Sequence, residues 1–339
     1  MRQKKNYAAI DNFRLAAALL IVGIHTSPLQ SFSETADFLV TYCFGRIGVP
    51  FFLMVTGYFV LAPYQRGISG NNSIGKFLRK TAFLYGIATL VYLPLKIYSG
   101  NISHTPGGWL KEIFFDGTFY HLWYLPAVIL GCLLLTALLK CCSPLAISGI
   151  TFALYMIGVL GDSYYNLISQ IPVFKTVYTA IFQISSYTRN GIFLAPVFLW
   201  MGVVLANSKV RISREHAAAG LMISLAGMMA EGFASFYFQW QKHNSMYFLL
   251  IPVMFFLFEL LLSMKGREMG IARDLSMYIY ILHPFCIVLV RGLAGVLKAQ
   301  KLLIEQSLLH YLAVSAVSVL LSLVFVLVKQ WFWSRRSYV

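Results

Sequence analysis

Arg14 and His25, in the stretch FRLAAALLIVGIHT, form the residue pair with the clearest chemical potential. They stand eleven residues apart, and at about 100° per residue that separation closes three helical turns with roughly 20° left over. On a helix the two side chains therefore share a face, about 16 Å apart along its axis. A fixed guanidinium suits a phosphate or carboxylate, and an imidazole further along can act as general base on a hydroxyl. The plainer reading of a buried histidine is a hydrogen-bonded structural residue; the aligned arginine shifts the balance toward chemistry. Ala16, Ala17 and Ala18 lie between, small enough to leave room for a ligand or for a close helix neighbour. Asp11, one turn before Arg14, is placed to pair with it and hold its fork.

Other polar residues sit where an apolar helix is expected. His283, in SMYIYILHPF, directly precedes Pro284, whose missing N–H frees a carbonyl within the helix, so the segment could line a polar cavity. Arg46 opens RIGVPFFLMVTGYF and reads equally as a snorkelling anchor or as part of a site. His121 in YHLWYLP and Arg189 in SYTRNG belong either to an interfacial aromatic belt or to an outer vestibule. Glu231, Glu259 and Arg291 are further intramembrane charges, with Glu259 near enough to the inner surface to snorkel. There is no Walker A sequence, no metal-ligand Cys/His spacing and no Gly-x-Ser-x-Gly elbow, which disfavours an ATP-driven pump or a zinc enzyme; no metal is expected.

The elements that must position these residues are membrane helices. The chain is 59% hydrophobic and 12% charged, against about 25% charged in soluble domains. Its apolar runs have the length, roughly 18 to 22 residues, that crosses a hydrocarbon core of about 30 Å. Hydropathy predicts helices near 13–31, 46–62, 81–98, 122–140, 144–160, 190–206, 217–236, 245–263, 274–297 and 307–328. The expected fold class is an all-α integral membrane bundle of about ten transmembrane helices, with residues 1–339 as a single domain. Basic residues concentrate in alternate connections: Arg66, Lys76, Arg79 and Lys80; Lys209, Arg211 and Arg214; Lys265, Arg267 and Arg273; Lys329, Arg335 and Arg336. With Arg2, Lys4 and Lys5 at the start, this places both termini in the cytoplasm. No small-residue cleavage site follows those three, so the first helix is expected to stay as a signal anchor. The formal charge of +15 is then a matter of topology, and nucleic acid is not an expected partner. The five cysteines suggest no disulfide framework. Two outer segments, 99–121 and 161–189, are long and rich in aromatic residues; they either fold over a vestibule or lie in the interface.

Four stretches taken together resemble the membrane acyltransferases of family 3: Arg14 to His25 with ten residues between, RIGVPFFLMVTGYF, HLWYLP, and SMYIYILHP. Within that family the likeness runs to the membrane portion of the VanT-type serine racemases of vancomycin resistance, on IDNFRLAAALLIVGIHTSPL, SETADF, FDGTFYHLWYLPA, GDSYYN and YTRNGIF. The resemblance implies a multi-pass protein of the bacterial plasma membrane that takes an acyl group, commonly acetyl, from acyl-CoA on the cytoplasmic side. It implies that Arg14 holds the donor and that His25 acts as base on the acceptor or carries the acyl group. The acceptor would be a cell-envelope glycan or small molecule, with Arg46, His121, Arg189 and His283 as the residues meeting it. Lys76 and Arg79 fall at the spacing of the family's paired arginines, so a point charge replaces one bidentate fork. Thr56 stands where a serine before Gly-Tyr is usual. The racemase relatives carry a soluble pyridoxal-phosphate domain after the last helix; this chain ends at Val339, so neither that cofactor nor racemase activity is expected. The competing reading is a transporter of serine or another small amino acid, and a third is a structural or sensory membrane subunit.

Overall fold

A computed structural model describes residues 7–68, 72–267 and 269–336. Arg2, Lys4 and Lys5 lie outside the described residues, as do the side chains of Arg335 and Arg336. Among the described residues all regular structure is helical. The apolar helices are α1 (Ala8–Thr26), α2 (Glu34–Gln65), α3 (Asn72–Tyr98), α4 (Tyr124–Cys141), α5 (Pro144–Asp162), α6 (Ala195–Asn207), α7 (Arg214–Tyr237), α8 (Leu250–Ser263), α9 (Ala272–Val296) and α10 (Ser307–Arg336). Among the described residues eight are long and apolar enough to cross a bilayer; α6 and α8, of 13 and 14 residues, are shorter. The chain is a multi-pass, all-α membrane protein.

Its first helix begins and ends five residues earlier than the predicted 13–31. The start moves back because Asp11, polar enough to depress hydropathy, is paired with Arg14 and so can enter the helix. The end is set at Ser27, which turns left-handed at φ 48° and gives its N–H to the Gly23 carbonyl, with Pro28 following. His25 therefore sits in the last turn of α1 and not in its middle.

The chain divides into two compact units. One comprises Met1–Gly48, Ser213–Gly220 and Phe256–Val339. Its centre is a three-helix packing of α1, α9 and α10 around Ala18, Val22, Ile279, Cys286 and Val290. At one end the α1 residue Asp11 meets Arg273 at 2.8 Å, and Lys329 near the end of α10 meets Asp274 at 2.8 Å. At the other end the Ser31 amide donates to the Ser307 hydroxyl at 3.0 Å. Thus α1 and α9 run parallel, α10 runs against them, and the start of α1 shares an end with the finish of α10.

The other unit comprises Val49–Ile212 and Leu221–Phe255. Here α6 lies against α2, α4 and α5. A Cβ on Gly57 would fall on the Leu199 carbonyl, and one on Gly202 on the Met54 carbonyl, so the α2 and α6 backbones touch where side chains are missing. The two long segments 99–121 and 161–189 carry helix, at Pro106–Lys111 and Pro172–Ile184. They are tied together: Lys111 donates to the Phe182 carbonyl at 2.8 Å and Asp116 accepts from the Ser186 amide at 2.8 Å. Lys96, at the end of α3, pairs with Glu112 and lies over the Trp109 ring.

Gly57→Ala should destabilise the protein by overpacking, on the order of 1–3 kcal/mol, whereas Gly86→Ala, where a Cβ meets nothing within 4 Å, should be neutral or stabilising. Thermal unfolding of the two variants in one detergent separates these outcomes.

Candidate active site

The HP dipeptide of α9 sets the geometry of the first unit. Proline at 284 cannot donate to the carbonyl four residues back, which belongs to Tyr280. His283 takes that place: its Nδ1 lies 2.8 Å from the Tyr280 oxygen and 3.2 Å from that of Ile279. A carbonyl oxygen only accepts, so Nδ1 carries the proton, and in the neutral ring Nε2 holds the lone pair. His283 is fully buried. Its ring stacks on that of His25, with centroids 5.2 Å apart and planes 23° apart. Two histidines from different ends of the sequence thus form one imidazole pair between α1 and α9. His25 is the more accessible member, being only partly buried.

Arg14 also keeps partial exposure, and its Nε donates to Asp11 at 3.0 Å. Asp11 is shared: Arg273, at the start of α9, reaches the same carboxylate through Nε at 2.9 Å and Nη2 at 2.8 Å. Two guanidiniums on one carboxylate leave a net single positive charge at this end of the unit. The strip of α1 between Arg14 and His25 is not open, because Ala18 and Ile21, which lie on it, are buried. Ala17 is buried too, and a Cβ on Gly48 would come within 3.1 Å of its carbonyl, so the alanines admit a close backbone neighbour. Arg46 is buried, with its guanidinium 5.0 Å from the Tyr42 ring centre. That removes the snorkelling-anchor reading, which needs the head group in water.

In the second unit Lys76, Arg79 and Lys80 are exposed in the first turns of α3. His121 is buried in a nest of rings, 4.8 Å from Tyr92 and 5.7 Å from Phe119, inside protein and not at a headgroup belt. Arg189 lies over Tyr187 at 4.4 Å and Trp123 at 5.2 Å and donates to the Ser245 hydroxyl at 3.3 Å. His243 packs on the other participant, Tyr187, with ring centres 4.3 Å apart. Lys242 rests over Phe182, and burial together with the nearby Lys111 charge lowers its ammonium below the usual lysine value.

Several polar residues turn out to hold backbone. Glu231 accepts from the Phe248 and Leu249 amides at 2.7 and 3.0 Å, capping α8 from α7, and from the Tyr164 hydroxyl. That contact and burial raise the Tyr164 phenol above its ordinary value. Asn190 accepts from the Ile192 and Phe193 amides ahead of α6. Asp162, which sequence reasoning did not single out, accepts from the Ser245 and Met246 amides at 2.6 and 3.1 Å. Sequence alone places Arg273 among the loop charges, and nothing local signals its pairing with Asp11. Glu259 is buried and does not snorkel.

Residues 7–327 match the family described as an acyltransferase domain. The chain belongs to this family. It is 39% identical over 329 residues to an amino-acid racemase of Enterococcus faecalis, covering 96% of this chain and 45% of that protein. It is 37% identical over 334 residues to a serine/alanine racemase of Enterococcus gallinarum, covering 97% of this chain and 47% of that protein. The chain thus spans about half the length of the curated relatives it matches. No solved structure matches it.

Pro284→Ala should return an N–H to the Tyr280 carbonyl and displace His283 from it. Histidine 15N spectra of the protein in micelles should show the Nδ1–H tautomer at His283 in the wild type and a mixture in the variant. An Nε2–H ring in the wild type contradicts the assignment.

Proposed function

We propose that this chain is an acyltransferase that moves an acyl group, in the first instance acetyl, from acyl-CoA at the cytoplasmic face to a hydroxyl or amine of a cell-envelope acceptor. The observation that carries the reading is the His25–His283 pair, a partly exposed imidazole held by a buried one in a chain of the acyltransferase family. His25 takes the proton of the acceptor O–H as its oxygen attacks the thioester carbonyl. The C–S bond breaks, and the departing thiolate is protonated, giving the acylated acceptor and free thiol. The carbonyl end of α1, where His25 stands, faces the charge that develops on the ring.

The basic cluster Lys76, Arg79 and Lys80 suits the phosphates of the donor, since it combines one fork, two point charges and a helix start. Arg14, neutralised in part by Asp11, is proposed to meet the donor at the start of α1, with both termini cytoplasmic. Arg46, His121, Arg189 and His283 are proposed to position the acceptor, His283 through its hold on His25. Because Ala18 and Ile21 are buried, the donor's thioester arm is taken to pass along the more open Ala16, Leu20 and Ile24 side of α1.

One observation favours a second reading. The relatives are named as racemases, one of serine and alanine, and this chain matches about half of each. A membrane portion joined to such an enzyme could move a small amino acid across the bilayer instead of transferring an acyl group.

Purified protein given acetyl-CoA with a labelled acetyl group and an envelope fraction should label the acceptor. His25→Ala should lower that rate by at least about 100-fold, within the range for loss of a general base; Lys76→Ala with Arg79→Ala should chiefly raise the donor KM. Serine uptake into vesicles that survives His25→Ala, without acetyl transfer by the wild type, would overturn the transferase reading in favour of the carrier.

A further inference from the structure

A groove of about 430 Å³ opens on the side of the second unit, between α5, α6 and the first turns of α8. Its floor is built from Trp200 and Leu205 of α6, its walls from Phe152 of α5 and Phe255 of α8. Along α6 it runs over the nine residues from Val197 to Leu205, or about 12 Å at the helical rise. The polar atoms within it are already engaged. The Ser148 hydroxyl donates to the Pro144 carbonyl at 3.0 Å and accepts from the Trp200 indole N–H at 2.8 Å. Thr151 donates to the Ile147 carbonyl at 2.8 Å. The groove therefore offers water little, and in a bilayer its natural filling is hydrocarbon. Gly149 lines it without a side chain, and a Cβ placed there meets nothing within 4 Å, so a larger residue has room to enter.

The end of the groove at Leu205 is charged. Arg211 bends back and donates through Nη2 to the Leu205 carbonyl at 2.8 Å, which fixes its guanidinium beside a lining residue, and Lys209 is exposed two residues earlier. An apolar groove about 12 Å long, enough for part of an acyl chain, with cationic groups beside one end, matches one ligand chemistry: an acyl chain ending in a phosphate. We propose that this groove binds one anionic phospholipid of the surrounding bilayer, with an acyl chain lying along α6 and its phosphate at Arg211 and Lys209. The site is separate from the imidazole pair and does not depend on the transferase reading. A lipid held here covers the α5 and α6 faces that the short helix α6 leaves to the membrane.

The test uses the full chain in nanodiscs and phospholipids with brominated acyl chains, which quench tryptophan fluorescence on contact. The Trp200 signal is obtained by subtracting that of Trp200→Phe. Brominated phosphatidylglycerol should quench it at a mole fraction at least about three-fold lower than brominated phosphatidylcholine. Gly149→Leu, which fills the groove, should abolish the quenching, and Gly149→Ala, which adds one methyl, should weaken it while keeping the fold. Arg211→Gln should bring the two lipids to equal efficiency. The proposal is overturned by equal quenching from both lipids in the wild type, by quenching unchanged in Gly149→Leu, or by quenching from a brominated acyl-CoA where phosphatidylglycerol gives none.

Discussion

A single hydrogen bond, from His283 Nδ1 to the Tyr280 carbonyl, is the constraint on which the chemical account rests. A proline inside a membrane helix leaves a carbonyl that lipid cannot satisfy, and an unsatisfied group in hydrocarbon costs several kcal/mol. The histidine beside the proline answers that need from its own helix. In doing so it loses the freedom to flip, presents a defined tautomer, and gives His25 a flat surface to stack on. The defect in α9 and the orientation of the ring on α1 are thus one feature seen from two helices. The charged cluster of Asp11, Arg14 and Arg273 sets the same two helices in register from the other end.

A second theme is that the polar side chains of Asp162, Asn190 and the half-buried Glu231 serve backbone before chemistry. Helices α6 and α8 are too short to cross a membrane with hydrogen bonds of their own, and the chain ahead of each is irregular. Irregular backbone at that depth survives only where protein supplies partners. Asn190 and Glu231 supply them at the starts of α6 and α8, and Asp162 does so for the turn at 245–246. These side chains are costly to bury, yet removing one would strand several amides. Their presence needs no catalytic role.

The ten apolar segments were legible because hydropathy over some twenty residues averages out local detail. The start of α1 was not: hydropathy penalises Asp11, and its pairing with Arg14 and with Arg273, more than two hundred and fifty residues away, allows it into the helix. The same long-range dependence hid the imidazole pair. His25 and His283 were each visible as polar residues in apolar runs, and the carbonyl freed by Pro284 could be inferred, but nothing local says that the two rings meet. The spacing of Arg14 and His25 follows from helix periodicity, while the burial of Ala18 and Ile21 between them depends on neighbours that periodicity does not specify. Arg46 and His121 were ambiguous for a related reason, since an arginine or a ring-rich segment near a helix end has the same sequence signature at an interface as in a packed interior.

The central claim is that the partly exposed His25, held by His283, meets the reacting carbonyl. An experimental structure with a non-hydrolysable thioether analogue of acetyl-CoA tests it most directly. The account predicts the analogue's acyl carbon about 5 Å from a His25 ring nitrogen, leaving room for one acceptor oxygen within about 3 Å of both the ring and the carbon. An acyl carbon lodged against other side chains, with the His25 ring out of reach and still stacked in place, would contradict it.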